Sequence, residues 1–145
     1  MNKAFMGIDP GVSGGIALIT SSKSKAVAMP KTEADIFEAI SSLIAETALP
    51  VFCALEKVHA MPKQGVSSTF TFGKNYGFLR ASLIALKIPF DDVPPQRWQK
   101  SLSCLSKGNK NVTKQKAQQL FPQLKITHAI ADALLLAEYA KRSYQ

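Results

Sequence analysis

Two short apolar segments at the start of the chain constrain its fold more than any other feature. Residues 4–9 (AFMGID) and 14–20 (GGIALIT) read as β-strands, joined by the turn-rich Asp9-Pro10-Gly11-Val12-Ser13-Gly14. A third strand, around Ala26 to Met29, closes a meander and ends at Pro30. Thr32 is then a good helix N-cap, with Glu33 and Asp35 in the first turn. Ile36, Phe37, Ile40, Leu43 and Ile44 follow at helical spacing, which gives that helix one apolar face for the sheet. Val51 to Leu55, after Pro50, reads as a central buried strand that delivers Glu56 at its C-terminal end.

The second half continues the alternation. Residues 60–66 (AMPKQGV) read as a loop, and a long helix is expected from Ser67 to Leu86. Gly73 and Gly77, four apart, share one face of it and permit another backbone to approach closely. Ile88 to Val93 is expected as a fifth strand, ending at Pro94-Pro95. The polar, basic stretch 103–112 reads as a loop; helices around 113–121 and from about His128 to Arg142 follow. Three strands, a helix, a strand, a helix, a strand and two helices predict an α/β fold. It has one five-stranded mixed sheet with helices on both faces, the strand order of the ribonuclease H-like fold. At 145 residues the expectation is one domain, residues 1–145, around a single core.

Charge narrows the function classes. Eighteen Lys and Arg against ten Asp and Glu give a net charge of +8, which raises the prior for a polyanionic partner such as nucleic acid. Cys53 and Cys104 are too few for a disulfide framework, and Cys53 lies in an apolar run as a buried thiol. Residues 1–20 contain an aspartate and several glycines instead of a signal-peptide apolar stretch, and no apolar run is long enough to span a bilayer. The expectation is a soluble cytoplasmic protein with no membrane partner, in a bacterial cell or a phage-infected host.

The few acidic residues are placed informatively. Asp9 ends the first strand, Glu56 ends the central strand, and Asp132 lies in the apolar string Ala129-Ile130-Ala131-Asp132-Ala133-Leu134-Leu135. Burying a carboxylate there costs several kcal/mol unless something compensates it. A hard divalent cation, Mg²⁺ or Mn²⁺, is the natural compensator. His128, four residues before Asp132, shares its helical face and can join the same site. Two ions about 3.5–4 Å apart would activate a water and stabilise the leaving oxygen in phosphodiester cleavage. Singly, an aspartate at a strand end is more often a cap, and a histidine more often a packing residue. Four such groups at element ends favour the metal reading.

These residues sit in segments that resemble the RuvC-type Holliday junction resolvases. Phe5-Met6-Gly7-Ile8-Asp9-Pro10-Gly11-Val12-Ser13-Gly14-Gly15 resembles the family's opening strand. Leu55-Glu56-Lys57-Val58-His59, with Gln64-Gly65-Val66-Ser67-Ser68, looks like its second motif in the phage and organelle-like branch. Phe72-Gly73-Lys74-Asn75-Tyr76-Gly77 resembles the helix after it, and Val93-Pro94-Pro95-Gln96-Arg97-Trp98 the segment after the fifth strand. Ala131-Asp132-Ala133-Leu134-Leu135-Leu136-Ala137-Glu138-Tyr139 resembles the closing motif. The similarity covers nearly the whole chain.

The resemblance implies a homodimeric, divalent-metal-dependent endonuclease that makes paired nicks across a four-way DNA junction. Asp9, Glu56 and Asp132 would be its metal-binding carboxylates. Many relatives carry aspartate where His128 stands. An imidazole there suits Mn²⁺ better than Mg²⁺, and it leaves open reduced activity or a proton-transfer role for His128. For DNA, Lys107, Lys110, Lys114 and Lys116 cluster before and within the helix at 113–121, where Thr113 as N-cap puts Lys114 and Lys116 in the first turn. A bound phosphate would relieve the clash of those cations with the helix dipole. Lys57, Lys63 and Lys74 lie near Glu56 in sequence, Arg97 is a phosphate-contact candidate, and Trp98 is a packing anchor. His59, Phe70 and Phe72 are candidates for contacts at the junction centre, although the two phenylalanines suit core or interface packing better. The Gly73/Gly77 face is the candidate subunit interface, since paired nicking requires two sites about a two-fold axis.

Three alternatives remain at this point. One is a nuclease of the same fold acting on flaps or RNA–DNA hybrids. Another is a junction-binding protein with weakened catalysis. The third is a sugar kinase or actin-like ATPase, because Asp9-Pro10-Gly11-Val12-Ser13-Gly14 also resembles a phosphate loop of that superfamily. That last reading needs a second domain to enclose the nucleotide, which 145 residues do not supply.

Overall fold

A computed structural model describes residues 2–60 and 63–145. Its elements in chain order are β1 (Ala4–Asp9), β2 (Gly15–Ile19), β3 (Ser24–Ala28), α1 (Glu33–Ala45), β4 (Val51–Glu56), α2 (Val66–Ala85), β5 (Phe90–Val93), α3 (Pro95–Ser101), α4 (Lys110–Leu120) and α5 (His128–Tyr144). Of the expected 60–66 loop, Met61 and Pro62 lie outside the described residues. The sheet order is β3-β2-β1-β4-β5. β1 pairs antiparallel with β2 and parallel with β4, and β5 extends the parallel half.

The two-residue period of the strands divides the core. Met6, Ile8, Ile16, Leu18, Cys53 and Leu55 face Ile36, Ile40, Leu43, Leu79 and Leu83 of α1 and α2. Phe5, Ala17, Ile19, Ala54 and Val93 face Trp98, Ala117 and the apolar stripe of α5. The α/β, mixed five-stranded arrangement with helices on both faces is thus as the sequence predicts.

Local details differ where sequence periodicity is weak. Thr32 does cap α1, its hydroxyl accepting from the Asp35 N–H, but Phe37 is exposed rather than packed on the sheet. A fifth helix, α3, follows β5, where only the strand's end was expected. Pro95 occupies its first turn, where a missing N–H costs nothing. The helix expected at 113–121 starts three residues earlier, at Lys110. Gly108, at φ +87°, turns the chain into Asn109, whose side chain accepts from the Asn111 N–H. Thr113 is therefore no N-cap, and Lys110 rather than Lys114 or Lys116 opens the first turn.

One close approach fixes the layers on the site's side. A Cβ on Gly7 of β1 would stand 2.1 Å from the Ala133 carbonyl oxygen and 2.4 Å from the Ala137 nitrogen. A Cβ on Gly15 would meet the Ala129 carbonyl at 2.4 Å. The absent side chains let α5 lie directly on β1 and β2.

Candidate active site

Asp9 and Glu56 leave the sheet side by side. In the parallel β1–β4 pair Ile8 stands opposite Leu55, so the next residue on each strand is a carboxylate. That places their backbones at about the 4.8 Å strand spacing. Asp132 joins them from above, on the turn of α5 between the Ala129 and Ala133 carbonyls that touch Gly15 and Gly7. The three residues come from positions 9, 56 and 132 of the sequence and meet at the C-terminal ends of β1 and β4.

Their electrostatics are those of carboxylates held out of water and against one another. Burial, with Glu56 and Asp132 nearby, raises the Asp9 carboxyl well above the usual range. Burial also pushes Glu56 up to about 7, and Asp132 is raised for the same reason. Asp9 and Glu56 also act on each other directly, and their proximity raises Asp9 further. Among the described residues, no group of three or more His, Cys, Asp or Glu is placed so that it could hold a metal ion, so the trio is near but does not form a ready three-ligand site. Oxygen donors, net negative charge and burial fit a hard divalent cation in that place.

Two of the carboxylates have a further neighbour that the sequence did not reveal, and the turn after the third is held in place. The Trp98 indole Nε1 donates to Glu56 Oε2 at 2.8 Å. The Thr113 hydroxyl, buried in α4, donates to the Lys110 carbonyl oxygen at 3.2 Å and lies beside Asp132, whose charged form it favours. The turn after Asp9 is held from α2, where Asn75 Oδ1 accepts from the Gly11 N–H at 2.7 Å. Gly11 adopts φ +103°, and a Cβ there would touch the Phe72 ring at 3.6 Å. Only the Pro-Pro start of α3 offered a sequence signal for any of these.

The remaining predicted residues separate into groups. His128 opens α5 with an exposed ring, close enough for its charge to favour ionised Asp132. Lys110 is the lysine that faces the carboxylates, its charge lowering both Asp9 and Asp132. Lys107 is exposed in the preceding loop, while Lys114 and Lys116 are half-buried along α4. Lys57 is exposed after β4, and Arg97, also exposed, lies 3.9 Å from Asp91. His59 and Lys63 are exposed on the β4–α2 connection. Lys74 lines a groove with Val12, Phe70 and Asn75. Phe70 is 73% exposed and so is no core residue. Gly73 and Gly77 are exposed on α2, where a Cβ would meet nothing within 4 Å. No helix among the described residues is long and apolar enough to cross a membrane.

No protein-family model matches the chain, and no sequence among the curated proteins does. Solved structures do. The fold superposes on Thermus thermophilus RuvC in complex with a Holliday junction substrate with a TM-score of 0.67. That match has 13% identity and covers 97% of this chain and 96% of that one. A second Thermus thermophilus RuvC structure matches with a TM-score of 0.62 at 14% identity, covering 96% and 95% of the two chains. The chain has the ribonuclease H-like fold of RuvC, end to end.

Proposed function

We propose that this protein is a RuvC-type resolvase of the phage and organelle-like branch, a single-domain endonuclease that cuts four-way DNA junctions by paired nicks. The observation that carries the reading is the convergence of Asp9, Glu56 and Asp132 at the C-terminal end of β1 and β4, with Lys110 beside them. Asp9, Glu56 and Asp132, with His128 at the rim, would hold one or two Mg²⁺ or Mn²⁺ ions. Those ions supply an activated water and charge stabilisation at the scissile phosphate. The chain's own residues do the rest. Trp98 holds Glu56, Thr113 lies beside Asp132, and Asn75 fixes the turn after Asp9, while Lys110 would meet a phosphate oxygen as it reaches the carboxylates.

A homodimer through α2 belongs to the same proposal. Val66, Phe70, Gly73, Gly77 and Ile84 are exposed at spacings of four, three, four and seven, an apolar and small-residue seam of the kind that packs two helices together. A two-fold axis there would supply the second site needed for paired nicking. The Thermus neighbour bound to a junction supports the substrate class. The test is incubation of the protein with a synthetic four-way junction and, separately, a linear duplex. Symmetric paired nicks in the junction alone are expected, faster with Mn²⁺ than with Mg²⁺ at equal saturation because His128 contributes an imidazole. Equal nicking of the linear duplex sinks the resolvase reading, and faster cleavage with Mg²⁺ sinks the Mn²⁺ preference.

Phosphate contacts from Lys57, Lys63, Lys74, Arg97, Lys107, Lys110, Lys114 and Lys116, with His59 against unstacked bases at the junction centre, would make binding salt-dependent. Six such contacts correspond to a roughly 10³-fold loss of affinity between about 50 and 200 mM salt. Lys110→Ala is expected to lower the slope of log affinity against log salt by about one. Fluorescence anisotropy on a labelled junction reads both, and a flat salt profile contradicts the proposed surface.

A further inference from the structure

We propose that Trp98 is a positioning residue for Glu56, whose indole N–H anchors one carboxylate oxygen and so fixes the orientation in which Glu56 meets a divalent cation. The inference rests on the reading of Glu56 as a metal-binding carboxylate. Trp98 is fully buried, on α3, between the sheet and the α4–α5 layer. A ring so enclosed cannot turn, so packing sets the direction of its N–H. That N–H is spent on Glu56 Oε2 at 2.8 Å, across 42 positions of sequence, and no buried side-chain donor or acceptor among the described residues is left unsatisfied. A buried indole requires a partner, but here the partner is a flexible side chain at a strand end.

The indole is a donor that never titrates in water, so its hold on Glu56 Oε2 does not depend on the protonation of the site. Groups of this kind around metal ligands change affinity about 10–100-fold when removed. α3 is thereby tied to the site although it contributes no carboxylate: Pro95 at its start and Leu102 after its end hold the helix that holds the ring.

The chain has a single tryptophan, so its emission reports this one contact. Two measurements test the proposal. In calorimetry with Mn²⁺, Trp98→Phe, which keeps an aromatic ring and loses the N–H, is expected to bind about 10–100-fold more weakly than wild type. Its circular dichroism should be unchanged. In fluorescence, wild-type emission is expected to shift on titration with diamagnetic Mg²⁺, with the midpoint found by calorimetry for that ion; Glu56→Gln should abolish the response. Equal affinity of Trp98→Phe and wild type overturns the positioning role while leaving the site reading intact. Should Trp98→Phe fail to fold, the fluorescence decides: emission constant through Mg²⁺ saturation overturns the proposal. Wild type that binds neither ion overturns the metal site itself, and the positioning role with it.

Discussion

Asp9→Asn is expected to abolish junction cleavage and at the same time to raise the melting temperature of the metal-free protein. The first effect follows if Asp9 is a metal ligand, and should exceed the 10–100-fold typical of outer-shell losses, reaching about 10³-fold or more. The second follows from the electrostatics of the metal-free site. Three carboxylates crowd one buried spot, and burial with mutual repulsion disfavours their charged forms. Asparagine keeps the shape and a donor toward Glu56 while removing one of those charges. A gain on the order of 1–2 kcal/mol is expected, or roughly 2–8 °C for a domain of this size.

The gain must depend on pH, and its sign is fixed. Glu56 titrates at about 7 in the fold against 4.5 ordinarily, so the neutral form favours the folded state. That contribution is fully present below pH 4.5 and disappears as pH rises through about 7. Asp9 and Asp132 are shifted the same way. Wild type in EDTA should therefore lose stability between pH 5 and pH 8, and Asp9→Asn should lose less. Thermal melts at the two pH values measure this directly; a variant that melts below wild type in EDTA at pH 8 contradicts the account.

Gly7→Ala has the opposite character, a single methyl expected to cost more than about 3 kcal/mol. The added carbon would overlap the Ala133 carbonyl and the Ala137 nitrogen, both main-chain atoms that no rotamer change can move. Either α5 lifts off β1 or the sheet bends. Because β1 carries Asp9 and α5 carries Asp132, either response also separates two of the three carboxylates, so cleavage should fall beyond what the lost fraction of folded protein explains. Gly65→Ala serves as the control, since a Cβ at Gly65 meets nothing within 4 Å. Chemical denaturation of both variants beside wild type checks the claim, and it fails if Gly7→Ala and Gly65→Ala unfold at the same midpoint.

The sheet and its carboxylates were legible in the sequence because each rests on a local pattern. Apolar runs with turn residues between them mark β1, β2 and β4, and a charge at the end of such a run is conspicuous. The partners of those charges rest on no local pattern. Trp98 and Glu56 are brought together by a helix that weakly periodic residues 95–101 did not announce. Thr113 looked like a cap because it precedes a lysine-rich stretch, but Asn109 captures that role and the buried Thr113 hydroxyl donates to the Lys110 carbonyl beside Asp132. The lysines show the same limit. Clustering in sequence treated Lys107, Lys110 and Lys114 alike, whereas in the fold the charge of Lys110 is the one felt by both Asp9 and Asp132.

The seating of α5 on Gly7 also bears on how the protein is made. A ribosome that has translated only as far as α4 has already emitted Asp9 and Glu56, but not the helix that covers β1 or the aspartate that completes the trio. Such a nascent chain lacks both half of its interior and one of the three carboxylates. The last helix supplies the two together, so the interior closes as the trio is completed.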